Sequence, residues 1–265
     1  MASNQQRAQR TAIVTGSSRG IGKSIAIRLA EDGFDVCIND IQANSQGIDE
    51  VVKHIQSLNR KAIGVVADVS HRSEVETLVQ KSVDALGHLD VMIANAGIAQ
   101  VKAVLDLTEE DMQRMINVNL FGVFNCYQVA AKQMIKQGSR GKLIGAASIV
   151  AYKPFALLTH YSASKWAVRG LTQGFAMEVA QHGITCNAYA PGIVGTAMWD
   201  EIDEKMGALS GAAKGETLKK YSGGILMGRV SVPEDVAETV SYLAGKGSDY
   251  MTGQTLIIDG GIQFS

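Results

Sequence analysis

Thr15-Gly-Ser-Ser-Arg-Gly-Ile-Gly22 is the stretch that decides the fold of this chain. It follows a short run of β-branched residues and precedes a segment with helical periodicity. Gly16, Gly20 and Gly22 carry no β-carbon, so a phosphate group could approach the backbone, and a helix that begins here offers unpaired N–H groups. A glycine-rich turn between a strand and a helix predicts a dinucleotide-binding site. The alternative is a tight turn that binds no ligand.

The same alternation of strand and helix continues along the chain. Predicted strands cover residues 11–15, 35–39, 62–67, 91–94, 142–147, 184–189 and 255–258. Predicted helices cover residues 22–31, 46–58, 73–86, 108–136, 163–181 and 233–243. Several strands are apolar throughout, which is typical of parallel strands covered by helices on both faces. The pattern predicts a single α/β domain over residues 1–265, a doubly wound Rossmann fold with a seven-stranded parallel sheet.

One segment, residues 195–229, departs from this alternation. It is rich in Gly, Ala, Ser and Lys, and Met198, Trp199, Ile202 and Met206 are spaced like one face of a helix. The segment follows the carboxyl end of a predicted strand, where ligands bind in open α/β sheets. We therefore expect it to be a mobile lid over a substrate, with an ordinary surface helical hairpin as the alternative.

The overall composition excludes several classes of partner. The chain has 25 basic and 26 acidic side chains, for a net charge of −1, and no charge run indicates nucleic acid or an anionic membrane. Cys37, Cys126 and Cys186 are scattered in apolar contexts without metal-ligand spacing, so we expect reduced core thiols and no metal site. The polar N-terminus predicts neither a signal peptide nor a membrane span. These features together favour a cytoplasmic protein.

A second motif, Ser148-x12-Tyr161-x3-Lys165, indicates proton transfer. A free tyrosine has a pKa of about 10, which makes it a poor base at neutral pH. Lys165 lies one helical turn beyond Tyr161, so its ammonium is expected to favour the phenolate and lower that pKa. Ser148 ends the fifth predicted strand, where its hydroxyl could polarise a substrate carbonyl. Each residue alone has a simpler explanation, a solvated helix face or a strand end, and His160 is expected to face another side of the helix.

Together the two motifs resemble the short-chain dehydrogenase/reductase family over nearly the whole chain. The spacing of Gly16, Gly20 and Gly22 is that family's variant of the glycine motif. The resemblance implies hydride transfer between NAD(P) and a carbonyl or alcohol, as in a short-chain alcohol dehydrogenase or carbonyl reductase. It implies that Asn119, in the segment Ile-Asn-Val-Asn-Leu, passes protons through a water towards Lys165. It also implies a homotetramer.

The resemblance further assigns residues to the cofactor. Asp68 and Val69 match the family's adenine-contacting pair, the segment from Asn95 to Gly97 matches its NAG motif, and Thr196 is expected to bond the nicotinamide carboxamide. The full set of implied cofactor contacts is Gly16, Ser18, Arg19, Gly20, Ile21, Gly22, Asp40, Asp68, Val69, Asn95, Ala96, Gly97, Tyr161, Lys165, Pro191, Gly192, Val194 and Thr196. A plain turn function for Asn95 and Gly97 remains open.

Asp40 and Arg19 point to different cofactors. Asp40 follows the second predicted strand, 24 residues after Gly16, where a carboxylate accepts ribose hydroxyls and repels a 2′-phosphate. Arg19 beside the glycines could instead pair with that phosphate. A clash of like charges discriminates strongly, so we predict NAD rather than NADP.

Three downstream segments, residues 191–203, 228–237 and 248–261, resemble acetoin/diacetyl reductases, also called meso-2,3-butanediol dehydrogenases. Two features depart from them. Gly195 stands where those enzymes commonly carry lysine, and the segment after Ser148 is bulkier and more aromatic. The predicted substrate is a compact vicinal diketone or hydroxyketone. Its expected contacts are Ser148, Val150, Tyr152, Tyr161, Gly192, Met198 and Trp199.

Other readings of the sequence remain. One is another short-chain activity, such as 3-oxoacyl-carrier-protein reduction or polyol or sugar oxidation, which would need a basic docking patch or a more polar pocket. A second is a non-catalytic nucleotide sensor, and a third is a purely structural oligomer. Small residues at Ala163, Ala167, Gly170 and Gly174 permit either close approach of a helix from a second subunit or packing on the sheet.

Overall fold

The computed structural model describes residues 9–264. Its strands are β1 (Arg10–Val14), β2 (Phe34–Asp40), β3 (Ala62–Val66), β4 (Val91–Ala94), β5 (Gly141–Ala146), β6 (Ile184–Pro191) and β7 (Thr255–Ile258). Within this part of the chain they form one sheet of seven parallel strands in the order β3-β2-β1-β4-β5-β6-β7. The strand order reverses between β1 and β4, where Val14 pairs with Ile93. The prediction of a doubly wound parallel sheet is confirmed.

Helices cover both faces of this sheet. Their bounds are α1 (Gly20–Glu31), α2 (Ser45–Ser57), α3 (Arg72–Leu86), α4 (Glu109–Ile116), α5 (Gly122–Lys136), α6 (Thr159–Val179), α7 (Ala197–Ser210), α8 (Glu216–Ser222) and α9 (Pro233–Ala244). Apolar residues of α3, α5 and α6 pack in one buried cluster with Ile13, and those of α1, α2 and α9 pack in another with Ala12 and Val14. Successive β1 side chains therefore enter opposite layers, as the period of a strand requires.

The predicted helix over residues 108–136 is not uniform. Thr108 is the N-cap of α4, and its side chain and that of Asp111 form a reciprocal capping box. Between α4 and α5 the chain makes a π-helical turn, Asn117–Phe121, which the sequence pattern did not predict. Such turns are frequent at functional sites. This one buries Asn119 completely.

Helix α6 begins four residues earlier than the predicted start at position 163. Thr159, His160, Tyr161 and Ser162 form its first turn, although these residue types have only modest helix propensity and no side chain caps the start. Tertiary contacts of this turn override the local preference. As a result, Tyr161 and Lys165 lie on the same helix, one turn apart.

Residues 195–229 contain two helices, α7 and α8. Asp203 of α7 is buried, and its carboxylate accepts hydrogen bonds from the backbone N–H groups of Gly215 at 2.5 Å and Leu218 at 2.8 Å. These bonds satisfy two donors at the start of α8. Ile202 and Met206 pack against Leu158, just before α6. Along residues 9–264 no helix has the length and apolar content needed to cross a membrane.

Candidate active site

A cleft of about 630 Å³ opens at the carboxyl edge of the sheet, beside the point where the strand order reverses. Both sequence motifs line it. We call the part of the cleft that the glycine turn borders the cofactor end, and the part that Met198 and Trp199 of α7 border the substrate end. Ser148, Tyr161 and Lys165 also border the cleft. The fold therefore brings together segments that lie far apart in the sequence.

The glycine turn is a cradle that β-carbons would fill. Gly16 and Gly20 have positive φ angles of 62° and 56°, which disfavour other residues. A β-carbon on Gly16 would lie 2.8 Å from Ala96 Cα, and one on Gly22 would lie 2.5 Å from the Asn95 amide nitrogen and overlap the Gly16 carbonyl oxygen. No side chain caps α1, so its first N–H groups are available at the cleft. This construction fits a pyrophosphate.

Asn95 braces the glycine turn against β4. Its amide nitrogen donates to the carbonyl oxygens of Thr15 at 2.8 Å and Gly16 at 3.0 Å, and its amide oxygen accepts from the Tyr189 hydroxyl at 2.8 Å. The Thr15 hydroxyl in turn accepts from the backbone N–H groups of Asn95 and Ala96. Asn95 borders the cleft, but its side chain is engaged in holding the turn.

Asp40, at the end of β2, is held on both carboxylate oxygens. One accepts from the Ser18 hydroxyl at 2.6 Å and the Ser18 N–H at 3.3 Å. The other accepts from the Ile41 N–H at 2.9 Å and the Asn44 amide at 2.8 Å. Asn44 carried no signal in the sequence analysis, whereas Ser18 was expected to touch the cofactor. The structure places Ser18 outside the cleft lining, as a support for Asp40.

The remaining expected cofactor contacts border the same cleft. Gly192 leaves no room for a side chain, because a β-carbon there would lie 2.6 Å from Asp259 Cβ. Thr196 is the N-cap position of α7, and its hydroxyl lies 3.3 Å from the Val194 carbonyl oxygen. The others that border the cleft are Arg19, Ile21, Asp68, Val69, Ala96, Gly97, Pro191 and Val194.

Lys165 is buried, and Tyr161, one helical turn before it, is partly buried. The Lys165 Nζ atom lies 5.7 Å from the centroid of the Tyr161 ring and donates to the Ala146 carbonyl oxygen at 2.7 Å. Lys165 is 3 % exposed, and Ser148 is 8 % exposed. The Ser148 hydroxyl accepts from the Val150 N–H at 3.3 Å, which fixes its direction at the end of β5.

Burial changes the acidity of both groups. Loss of solvation lowers the pKa of Lys165 to about 8. Loss of solvation raises the pKa of Tyr161, and a hydrogen bond with the Ser148 hydroxyl only partly offsets this. The Ser148 hydroxyl is the group that opposes this rise in pKa, and the lowering of the tyrosine pKa by Lys165 stays a prediction. A protonated phenol beside an ammonium can donate a proton to a developing alkoxide.

Asn119 fixes the chain next to Lys165. Its amide oxygen accepts from the Ile98 N–H at 2.9 Å, and its amide nitrogen donates to the Ile98 carbonyl at 3.0 Å and the Ser164 hydroxyl at 3.1 Å. A β-carbon on Gly97 would lie 3.2 Å from Asn119 Oδ1 and 3.4 Å from Lys165 Nζ. The absence of a side chain at Gly97 therefore lets these two residues approach.

Aromatic side chains form the wall opposite the cofactor end. Phe155 stacks on Tyr221 of α8 with ring centroids 5.5 Å apart, and Trp199 lies 6.5 Å from the same ring. Phe155, Trp199 and Val150 border the cleft. Tyr152 does not: its hydroxyl donates to the Thr255 carbonyl oxygen at 2.5 Å, and Arg169 lies over its ring. The prediction that Tyr152 contacts substrate is corrected, because these bonds turn it away.

Polar residues that the sequence analysis did not identify also border the cleft. Gln100 and Asp111 are hydrogen-bonded to each other, and Gln100 also bonds to the buried His160. Arg114, Glu201 and Lys205 also border the cleft, and all three are exposed. No local pattern marks them, because they lie on three elements and meet only after folding.

Comparisons with known proteins agree with this geometry. Residues 10–207 match the family model for short chain dehydrogenase. L-2,3-butanediol dehydrogenase from Corynebacterium glutamicum is 44% identical over 256 residues, covering 97% of this chain and 99% of that protein. A diacetyl reductase [(S)-acetoin forming] from Staphylococcus epidermidis is also 44% identical, with coverage of 96% and 99%. The crystal structure of acetoin dehydrogenase from Salmonella typhimurium superposes with a TM-score of 0.82 at 32% identity, covering 96% of this chain and 97% of that one.

The fold and the cleft define an oxidoreductase that uses a nicotinamide cofactor. The phosphate cradle, the carboxyl-edge cleft and the tyrosine–lysine pair on α6 all belong to this class of site. The family match covers most of the chain, and the relatives align over nearly their full length. The chain belongs to the short-chain dehydrogenase family.

Proposed function

We propose that this protein transfers hydride between NAD(H) and a small vicinal diketone, hydroxyketone or diol, of the diacetyl, acetoin and 2,3-butanediol type. The names of the relatives support the substrate class. The observation that carries the proposal is that Lys165, which is buried, and Tyr161, which is partly buried, lie with Ser148 in one cleft with the glycine cradle. A non-catalytic sensor would have no need of this pair.

The nicotinamide, when bound, supplies the hydride to the carbonyl carbon. Ser148 holds and polarises the carbonyl oxygen, so that negative charge can develop there. Tyr161 gives its proton to that oxygen as the new C–H bond forms, and one carbonyl becomes one secondary alcohol. Lys165 stabilises the phenolate that remains, and Asn119 keeps the proton path to solvent in place. Oxidation of the alcohol runs through the same steps in reverse.

The test is a panel of diacetyl, acetoin, 2,3-butanediol, sugars and polyols, each with both cofactors. We expect consumption of NADH with diacetyl at rates well above those of the polyols. Absence of turnover with every four-carbon substrate would reject the proposal. Comparable efficiency with a sugar or a 3-oxoacyl carrier protein would move the function to another short-chain activity.

We also propose NAD over NADP, on the support of the four hydrogen bonds that hold Asp40 in one orientation. A fixed carboxylate cannot turn away from a 2′-phosphate, so the repulsion is retained. Replacing it by Asp40→Ser should raise the kcat/KM ratio of NADPH to NADH by at least ~10-fold. Equal use of both cofactors by the unaltered protein would contradict the proposal, and Glu31→Gln, on the exposed end of α1, is the control.

A homotetramer is proposed on the support of two exposed apolar surfaces. On α6, Trp166 is 46% exposed, and nothing lies within 4 Å of a β-carbon placed on Gly170 or Gly174. Near the C-terminus, Tyr250 and Phe264 are fully or mostly exposed. Two such surfaces permit two kinds of contact between copies. A sedimentation mass near that of one chain would remove the tetramer.

Two further assignments accompany the function. Residues 195–229 are proposed as the substrate lid, supported by the position of α7 along the cleft. The protein is proposed to be cytoplasmic, supported by Cys37, Cys126 and Cys186, which are free buried thiols of the kind that persists in a reducing compartment. Fractionation of the cells and protease protection of the lid by substrate test these two points.

A further inference from the structure

A hydrogen-bonded series of polar side chains lies at the substrate end of the cleft. The Lys102 ammonium donates to Asp111 Oδ2 at 2.6 Å, and Asp111 Oδ1 accepts from the Gln100 amide nitrogen at 2.7 Å. The Gln100 amide oxygen lies 2.9 Å from His160 Nε2. His160 is completely buried and directly precedes Tyr161 in the sequence. The hydrogen-bonded series therefore ends at His160, in the first turn of α6.

The charges in this series fix the orientation of the Gln100 amide. Lys102 and the Thr108 hydroxyl and N–H hold the pKa of Asp111 well below its ordinary value, so Asp111 is ionised. A carboxylate accepts hydrogen bonds only, so the amide nitrogen, not its oxygen, must face Asp111. The amide oxygen then faces His160, whose Nε2 must carry a hydrogen to complete the bond. Burial lowers the pKa of His160, which keeps the ring neutral in that tautomer.

This arrangement leaves one donor free. An amide nitrogen carries two hydrogens, and Asp111 accepts one of them. No side chain or carbonyl among residues 9–264 accepts the other. Gln100 borders the same cleft as Ser148 and Tyr161, and the preceding Ala99 packs in one cluster with Tyr161 and Trp199. The residue that carries the free N–H group therefore lies on the wall of the cleft.

Because the neighbouring side chains are apolar, the free N–H group of Gln100 favours substrates that carry a second polar atom. Neighbouring residues of the cleft, Ile149, Val150, Phe155, Leu158 and Ile202, are apolar. A polar atom of a substrate placed among them without a partner would lose hydrogen bonds to water without replacement. A vicinal diketone carries a second oxygen on the carbon next to the reacting carbonyl. It needs one donor besides Ser148 and Tyr161.

We propose that Gln100 is a specificity-determining residue, which donates its free amide hydrogen to the second oxygen of a vicinal diketone or hydroxyketone. Asp111 and His160 are its positioning residues. The inference rests on the proposed function. It adds how the site distinguishes a substrate with two adjacent oxygens from a substrate with one. Asp111 and His160 do not act on the reacting carbonyl itself.

The test compares two ketones with the same four-carbon skeleton, diacetyl and 2-butanone. The measured quantity is the ratio of their kcat/KM values with NADH, so partial loss of folded protein and differences in intrinsic reactivity cancel between variants. Gln100→Met keeps the length of the side chain and removes the donor. It should lower the ratio by roughly 10-fold, mainly through KM for diacetyl. The matched control Gln181→Met, on an exposed residue beyond α6, should leave the ratio unchanged.

A second variant separates positioning from simple support. His160→Phe keeps Gln100 but releases its amide oxygen, and it should lower the same ratio by a smaller factor. Thermal unfolding of each variant reports on folding independently of turnover. If Gln100→Met slows both ketones equally in a folded protein, Gln100 is only a structural support and the inference is overturned. If the unaltered protein reduces neither ketone, the proposed function fails instead.

Discussion

The cofactor end and the substrate end of the cleft are constructed differently. The cofactor end consists of backbone: glycines without room for β-carbons, a free helix start and the carboxyl ends of β1 and β4, braced by Asn95. The substrate end consists of side chains on α6, α7 and the loop before α6, and Tyr221 of α8 contacts Phe155 and Trp199 from outside the cleft lining. Backbone geometry tolerates little change, whereas a wall of side chains can be altered one residue at a time. The cofactor end can therefore stay constant while substitutions at the substrate end change which substrate is bound.

The largest effect is expected where the two ends meet. Tyr161→Phe removes the proton donor but keeps the ring and its packing, so kcat should fall by ~10³-fold or more. The dissociation constant of NADH, measured by fluorescence titration, should stay within about a factor of three, because the glycine cradle is untouched. Near-normal turnover in this variant would overturn the mechanism.

The next effect separates the two ends. Gly22→Ala places a methyl group against the Asn95 amide and the Gly16 carbonyl. Overpacking of about 1–3 kcal/mol should weaken NADH binding by roughly 10- to 100-fold. Calorimetry measures this, and Gly174→Ala, at a helical position with open space, should bind NADH normally. Equal effects of the two substitutions would mean that the cradle is not the binding site.

The third prediction concerns the pH dependence of activity that Tyr161 and Lys165 produce. Burial raises the pKa of Tyr161 and lowers that of Lys165 to about 8, so the lysine loses its proton first as pH rises. The kcat/KM for ketone reduction should be level below pH 7 and should fall towards ~10-fold per pH unit above pH 8. In Lys165→Arg, whose charge persists, any remaining activity should lack this fall. A decline that begins only near pH 10 would indicate that the tyrosine controls the profile.

The smallest effect belongs to the substrate wall. Tyr221→Leu removes the ring that stacks on Phe155, while the glycine cradle is unaffected. Loss of one aromatic contact should raise KM for the ketone by roughly two- to tenfold without changing NADH affinity. Steady-state kinetics and the NADH titration together measure both. A change in NADH affinity instead would show that the two ends are coupled.

The features that the sequence predicted depend on local patterns, and the features that it missed depend on contacts between distant segments. Local patterns predicted the seven strands, the glycine turn and the spacing of Tyr161 and Lys165, because the periods of strands and helices are visible in short stretches of sequence. The π-helical turn around Asn119 and the early start of α6 escaped prediction. Both depend on contacts with distant segments: Asn119 bonds to Ile98 and Ser164. Tyr152 was misplaced for the same reason, since its partner is Thr255.

The sequence by itself determined the order of elements, the phosphate cradle and the chemistry of the proton donor. These follow from the conformational freedom of glycine, the periodicity of apolar residues and the acidity of a phenol beside an ammonium. Only the tertiary structure decided the acidity of the partly buried Tyr161 and the wall of Phe155, Trp199 and Tyr221. It also decided the hydrogen-bonded series that runs from Lys102 through Asp111 and Gln100 to His160. Solvation and side-chain contacts between distant segments exist only after the chain has folded.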